Sequence, residues 1–234
     1  MNLKSISAAL LCASVSTSAL ATDFSVTVTN LTQGVYFTPL LVAAHPGDSR
    51  LFTSGAAASD SLQAMAEGGD ISGLAADLAP TGAVVVENPA AGLLGPGQST
   101  TAMLNTDDTP DNAYLSLVAM LLPTNDGFLG LNAVEIPTEA GTYTFNVNAY
   151  DAGTEGNDEI RGSGAPGEPG YPAPGPVDEA SGMNGTGIAA TAEGFVHIHR
   201  NVLGDTDATG GASDIDAAVH RWLNPVVRVT VTVN

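Results

Sequence analysis

The chain ends in a strictly alternating segment, VRVTVTV at residues 227–233. Valine fills every second position, with arginine or threonine between. Because neighbouring side chains of a strand point to opposite faces, this pattern predicts a strand with one face in an apolar core. The same alternation occurs as FSVTVT at 24–29 and TYTFNVNAY at 142–150. The three segments together predict an all-β protein.

Further strands are predicted between these segments. Residues 115–122 form a nearly continuous apolar run, which is typical of a central strand. Shorter strands are predicted at 84–86 and 194–199. Clusters of proline, glycine, asparagine and aspartate separate the runs. Many short strands punctuated by turns favour an antiparallel β-sandwich or a barrel.

Helical patterns are few and short. Ser59 is placed to cap a helix at 60–67, and Asp70 to cap one at 71–78. A third helix is predicted at 216–223. These segments are expected to connect strands and to lie over the sandwich.

Residues 153–187 differ in composition from the rest of the chain. Of these 35 residues, 10 are glycine and 5 are proline, and large apolar residues are scarce. Such a segment has little to bury in return for its ordering. We therefore predict a flexible, acidic Gly/Pro-rich loop inserted in one sandwich domain of residues 22–234, with or without a role of its own.

Composition excludes several classes of protein. The 234 residues include 6 Lys+Arg against 25 Asp+Glu, a formal net charge of −19. So acidic a chain lacks the cations that bind phosphate, which excludes nucleic acid as a partner. A single cysteine excludes a disulfide scaffold.

The first 21 residues have the pattern of a secretory signal peptide. Lys4 precedes a short apolar stretch, and residues 19–21 read ALA, a small-residue cleavage site. We expect cleavage after Ala21 and export to the periplasm or the cell exterior. The apolar stretch is too short to span a bilayer, and no transmembrane segment is expected elsewhere.

Acidic residues crowd the loop YDAGTEGNDE at 150–159. Asp151 directly follows an alternating strand, and Glu155 and Asp158 follow across a glycine-rich turn. Carboxylates on one loop repel each other unless a cation lies between them, and Ca²⁺ prefers such oxygen ligands. The alternative is a solvated acidic turn.

A second acidic loop has the spacing of a calcium-binding loop. The segment DTDATGGASDID at 205–216 has oxygen-bearing residues at the expected positions, with Gly210 at the sharp turn. The possible Ca²⁺ ligands are Asp205, Asp207, Thr209, Ser213 and Asp216. Because the preceding segment is not helical, the loop is not an EF-hand. The alternative to a calcium-binding loop is an aspartate-rich turn that caps the helix at 216–223.

Two histidines lie two residues apart in a predicted strand. His197 and His199 would point to the same face, a geometry suited to Cu²⁺ or Zn²⁺. The chain has two other histidines, His45 and His220, and either would complete such a site by converging on the pair. The alternative is that all four imidazoles are structural.

Catalytic patterns are absent from the sequence. There is no Gly-x-Ser-x-Gly elbow, no His-Glu-x-x-His motif and no phosphate-binding loop. The single cysteine lies in the expected signal peptide, so it offers no nucleophile. We therefore predict that the protein is not an enzyme.

Three motifs together resemble the spondin N-terminal domain family in its bacterial form. They are PTNDGFLGLN at 123–132, YDAGTE at 150–155, and HRWLNP at 220–225 ahead of the valine-rich strand. The resemblance spans essentially all of 22–234. It implies a secreted, C2-like β-sandwich associated with matrix and adhesion, with Ca²⁺ at one end held by Asp126, Asp151 and Glu155. The chain departs from animal members in its long insert and in lacking their cysteines.

Two functional hypotheses follow. The first is a secreted, non-enzymatic Ca²⁺-binding module for adhesion, matrix or cell-surface interaction, whose partner is an extracellular protein or a surface glycan. The alternative is a periplasmic or extracellular copper- or zinc-binding protein that uses His197 and His199. The sequence leaves the oligomeric state open.

Overall fold

A computed structural model of the chain describes residues 23–234. The expected signal peptide, residues 1–21, lies outside the described residues. No helix within 23–234 combines the length and the apolar character needed to cross a bilayer.

The described chain folds into two antiparallel sheets, which confirms the predicted all-β sandwich. The strands are β1 Asp23–Asn30, β2 Tyr36–Phe37, β3 Leu41–His45, β4 Val84–Glu87, β5 Ser99–Asn105, β6 Tyr114–Leu122, β7 Gly127–Glu135, β8 Gly141–Val147, β9 Ala149–Asp151, β10 His197–Ile198 and β11 Val227–Val233. The helices are α1 Asp60–Gly68, α2 Ser72–Leu78, α3 Pro176–Ala180 and α4 Ala217–His220, and a 3-10 turn, Ala79–Thr81, follows α2.

The smaller sheet has the strand order β5-β1-β11-β8. It pairs the two ends of the described chain, with Phe24 opposite Val233 and Val28 opposite Val229. The valines of β1 and β11 are buried between the sheets, while their threonines face outward. The alternating segments therefore form half-buried strands, as predicted.

The larger sheet has the order β10-β9-β7-β6-β3-β4, and β2 also pairs with β6. One face packs against the smaller sheet, and the other lies under α1 and α2, where Leu62 and Met65 join a second apolar cluster with Phe128. Because β6 is covered on both faces, its sequence is a continuous apolar run rather than an alternation.

Several predicted elements have different bounds in the structure. The segment 142–150 is not one strand: it breaks at Asn148, so that β8 belongs to the smaller sheet and β9 to the larger. Residues 194–199 are a strand only at His197–Ile198. The helix predicted at 216–223 is limited to α4, because the chain is already extended at Arg221. Strands β2, β3, β5 and β7 were not predicted from the sequence.

The two N-terminal helices follow their sequence patterns closely. Ser59 caps α1, its hydroxyl accepting the Leu62 N–H at 3.1 Å. Asp70 accepts the Ser72 N–H at the start of α2. Both helices cover the outer face of the larger sheet with apolar side chains.

The glycine-rich segment 153–187 buries more than its composition suggested. Tyr171 is fully buried in the core between the sheets, and Val177 is buried in the second cluster under the helices. Its backbone pairs with itself, since Tyr171 N–H donates to the Ile160 carbonyl and Gly162 N–H to the Tyr171 carbonyl. The segment thus contributes to both cores, while its flexibility stays a prediction.

Candidate metal centre

Polar side chains collect where three strands of the larger sheet end. Asp126 immediately precedes β7, Asp151 is the last residue of β9, and His197 is the first residue of β10. Asp151 lies opposite Gly127 on one side and opposite His197 on the other. Because residues directly opposite in an antiparallel pair point to the same face, Asp151 and His197 are neighbours at this edge of the core.

The Asp151 carboxylate is fully buried and held by hydrogen bonds. Its Oδ1 accepts the Gly153 N–H at 2.9 Å, and its Oδ2 accepts the Asn157 side-chain amide at 2.8 Å. The tight turn after β9 thus fixes the carboxylate. Two imidazole nitrogens approach it, His197 Nε2 at 3.5 Å from Oδ1 and His199 Nε2 at 3.8 Å from Oδ2.

Asp126 is the second buried carboxylate of this region. Its Oδ2 accepts the N–H groups of Thr154 at 2.8 Å and Glu155 at 3.1 Å. Its Oδ1 is buried and has no hydrogen-bond partner among residues 23–234. Burial, and then the charge of Asp151, raise the pKa of Asp126 to about 8. The ionised form of Asp126 is therefore unfavourable in the metal-free protein.

Glu155 contacts Asp126 through its backbone N–H, and its side chain bonds to Asn125 and to the glycine-rich segment. Its Oε1 accepts the Asn125 side-chain amide at 2.7 Å and the N–H of Gly170 in the glycine-rich segment. Its Oε2 is buried and unbonded within the described part of the chain. Burial raises the pKa of this carboxyl as well. Two of the three predicted calcium ligands thus keep a free buried oxygen, which fits a cation.

The structure brings a different set of atoms closest together. Among residues 23–234, one group of three His, Cys, Asp or Glu side chains places its ligand atoms all within 4.8 Å of each other, and it consists of Asp151, Glu193 and His197. Glu193 Oε2 lies 3.8 Å from His197 Nε2. Glu193 was not predicted from the sequence, because its approach to His197 depends on the turn at Gly194. The φ of Gly194 is +80°, and its N–H donates to the Gly153 carbonyl.

His199 is buried beside this group. Its Nδ1 accepts the Asn201 N–H at 3.0 Å, and its ring packs on Trp222 with 5.1 Å between the centroids. Burial lowers the pKa of His199 to about 4, against the opposing effect of the Asp151 charge. The imidazole is therefore neutral at pH 7.

The other two histidines lie apart from the group. His45 pairs with Tyr114 at the opposite end of β6, and its ring bonds to Ser116 Oγ at 2.7 Å and the Pro46 carbonyl at 2.8 Å. His220 is buried in α4. Neither belongs to the set of converging ligand atoms.

The second acidic loop is closed by its own hydrogen bonds. Asp205 accepts the N–H groups of Asp207, Ala212 and Ser213, and these bonds lower the pKa of its carboxyl. Asp216 caps α4 by accepting the Ala218 N–H. Further bonds occupy the other three predicted ligands: Asp207 accepts from the backbone N–H and the hydroxyl of Thr209, and the Ser213 hydroxyl donates to Glu159. The three aspartates predicted as ligands, Asp205, Asp207 and Asp216, do not form a group whose oxygens all lie within 4.8 Å of each other.

Comparison with known proteins identifies one family. The Spondin_N family model matches residues 16–169, which is 154 of the 234 residues. No curated protein matches the chain. Asp126, Asp151 and Glu155 lie inside the matched range, whereas Glu193 and His197 lie beyond it.

Proposed function

The chain belongs to the Spondin_N family, and from that premise we propose that it is an exported, non-enzymatic binding module that holds Ca²⁺ at its acidic strand ends. The proposed ligands are Asp126, Asp151 and Glu155. Their carboxylate oxygens do not all lie within 4.8 Å of each other, so the proposal requires these loops to draw together when the ion binds. The bound ion supplies positive charge and links the turn before β7, the end of β9 and the start of the glycine-rich segment. The linked loops form the surface offered to an extracellular protein or a surface glycan.

The observation that carries this proposal is the state of Asp126. Its carboxylate is fully buried, has one oxygen without a partner among the described residues, and lies next to the buried carboxylate of Asp151. Burying an unpaired charge is costly, and a like charge nearby adds to the cost. A divalent cation offsets both effects, and carboxylates from flexible loops are the ligands that Ca²⁺ prefers.

The proposal is tested by thermal unfolding of the purified protein after treatment with a chelator. Extracellular modules commonly bind Ca²⁺ in the range of about 0.1–1 mM, so millimolar Ca²⁺ is expected to raise Tm and excess chelator to reverse the change. Magnesium at the same concentration is the control for ionic strength. A Tm that is identical with Ca²⁺, Mg²⁺ and chelator contradicts the proposal.

Export is a part of the proposal with its own test. Cleavage after Ala21 leaves a mature protein that begins at Thr22. N-terminal sequencing of protein recovered from the periplasm or the medium identifies this end. Recovery of the protein only inside cells, with residues 1–21 still attached, contradicts export.

A further inference from the structure

We propose that Asp151, Glu193 and His197 form a second metal site, which shares Asp151 with the proposed calcium site and takes a divalent transition metal of the Zn²⁺ class rather than Ca²⁺. The inference goes beyond the calcium proposal, since Glu193 and His197 lie outside the family match and do not contact Asp126 in the hydrogen-bond network. It starts from three side chains on three segments: the end of β9, the turn before β10, and β10 itself.

The distances within the group are longer than those of direct hydrogen bonds. His197 Nε2 lies 3.5 Å from Asp151 Oδ1 and 3.8 Å from Glu193 Oε2. Hydrogen bonds between nitrogen and oxygen are shorter, about 2.7–3.2 Å. In a tetrahedral zinc site with metal–ligand bonds of about 2.0–2.1 Å, the ligand atoms are separated by about 3.3–3.4 Å. The two distances to His197 Nε2 are slightly longer than this spacing, and the Asp151 and Glu193 oxygens lie within 4.8 Å of each other, so small side-chain movements would place all three atoms on one ion.

The hydrogen bonds of His197 prepare its free nitrogen for a metal. Nδ1 lies 3.0 Å from the Ile198 carbonyl oxygen, which is an acceptor, so Nδ1 carries the proton and Nε2 keeps its lone pair. A backbone carbonyl bound to the second nitrogen is the usual support for a metal-ligating histidine. Nε2 points toward Asp151 and Glu193 and has no hydrogen-bond partner in the part of the chain that the structure describes.

His199 is a buried histidine beside this group, and it supports Asp151 rather than the metal. Its side chain is only 1% exposed, and Nε2 lies 3.8 Å from Asp151 Oδ2 without a hydrogen-bond partner within 23–234. Because Nδ1 accepts the Asn201 N–H, the proton of the neutral ring is on Nε2. His199 therefore does not ligate the metal; it is a positioning residue whose N–H points at the far oxygen of Asp151.

The donor set selects the class of metal. One imidazole nitrogen with two carboxylates suits zinc and its neighbours, whereas Ca²⁺ and Mg²⁺ take oxygen ligands. Three protein ligands leave a coordination position open. The two ligand atoms His197 Nε2 and Glu193 Oε2 are buried, although parts of their side chains are exposed. A water or a donor group from a partner would complete the shell.

Isothermal titration with Zn²⁺ tests the site in the full mature chain after removal of metals. Glu193→Gln and His197→Gln are each expected to weaken Zn²⁺ binding at least tenfold. Glu139→Gln is the matched control, because Glu139 is exposed in the loop between β7 and β8 at the other end of the sandwich. Unchanged affinity in both site variants, with their Tm close to that of the parent, overturns the proposal.

Cobalt substitution distinguishes the roles of the two histidines. Co²⁺ in the site is expected to give visible absorption and one paramagnetically shifted imidazole N–H, which disappears in His197→Gln and persists in His199→Gln. Two ligating imidazoles would overturn the positioning role of His199.

Asp126→Asn separates the two sites: it is expected to abolish the Ca²⁺ response and to retain Zn²⁺ binding, so that either proposal can fail alone.

Discussion

The ring of His199 lies against the backbone of Gly127, and a side chain at position 127 would occupy the same space. A Cβ at position 127 would stand 3.0 Å from His199 Cδ2 and 2.6 Å from Thr124 Oγ1. Thr124 is itself fixed by a bond from its hydroxyl to the Leu121 carbonyl at 2.6 Å. The glycine of the motif at 125–127 therefore has a packing role in addition to its place in a turn.

Gly127→Ala is expected to destabilise the protein. The added methyl group must displace Thr124 or His199, and overpacking of a filled site costs about 1–3 kcal/mol. Urea unfolding measures the change. Gly210→Ala is the control, since its Cβ would have no neighbour closer than 3.5 Å and should change stability by less than about 0.5 kcal/mol. Equal stability of both variants would show that Thr124 or His199 can move to accommodate the added methyl group at little cost.

Asp126→Asn is expected to separate folding from calcium binding. The amide keeps an oxygen that accepts the Thr154 and Glu155 N–H groups, but it cannot become charged next to Asp151. The metal-free variant should therefore melt at the same temperature as the parent or higher, while its Tm no longer responds to Ca²⁺. Differential scanning calorimetry with and without Ca²⁺ measures both.

The matched control for this variant is Asp108→Asn. Asp108 is exposed in the loop between β5 and β6, at the opposite end of β6 from Asp126. It changes net charge equally and should leave the Ca²⁺ response intact. If Asp126→Asn keeps the full Ca²⁺ shift, Asp126 is not a calcium ligand.

His45 is expected to make stability depend on pH below neutrality. Burial lowers the pKa of His45 from its ordinary value of 6.5, so the unfolded chain takes up the proton first. The contribution of His45 to stability is therefore present above pH 6.5 and is lost as pH falls below it. A single such group changes the free energy of unfolding by at most about 1.4 kcal/mol per pH unit.

The test for His45 compares His45→Gln with the parent in urea titrations at pH values from about 7.5 to 5.5, which lie within the range of about pH 5–8 where histidine changes its charge. The difference in stability between the two should shrink as pH falls, because only the parent has this proton uptake. His220 is also buried with a lowered pKa and remains in both proteins, so its effect cancels. A difference that does not vary with pH contradicts the assignment.

Local patterns were sufficient to predict the strands that build the sandwich. The alternation of β1 and β11 and the apolar run of β6 are properties of single segments, and each forms as expected. The change of sheet between β8 and β9 was not predictable in this way. There the Asn224 side chain accepts the Ala149 N–H at 2.8 Å, a contact between residues 75 positions apart.

The candidate site shows the same limit. Acid-rich loops and the His197/His199 pair can be identified from sequence, because both are patterns of residue spacing within one segment. Which atoms converge depends on pairing between strands: Asp151 meets His197 only because β10 joins β9 in register. Glu193 has no sequence pattern of its own, and its role depends on the backbone turn at Gly194.

Tyr171 provides a test of how the glycine-rich segment is attached. Its ring is fully buried in the core between the sheets, although the flanking residues are glycine and proline. Tyr171→Ala is expected to cost about 3–5 kcal/mol, as for other large aromatic residues removed from a core. It should also expose 153–187 to limited proteolysis before global unfolding, because loss of the ring removes the main apolar anchor of the segment. Tyr171→Phe keeps the ring and should resist the protease as the parent does; rapid cleavage of parent and both variants alike would show that burial of Tyr171 does not secure the segment.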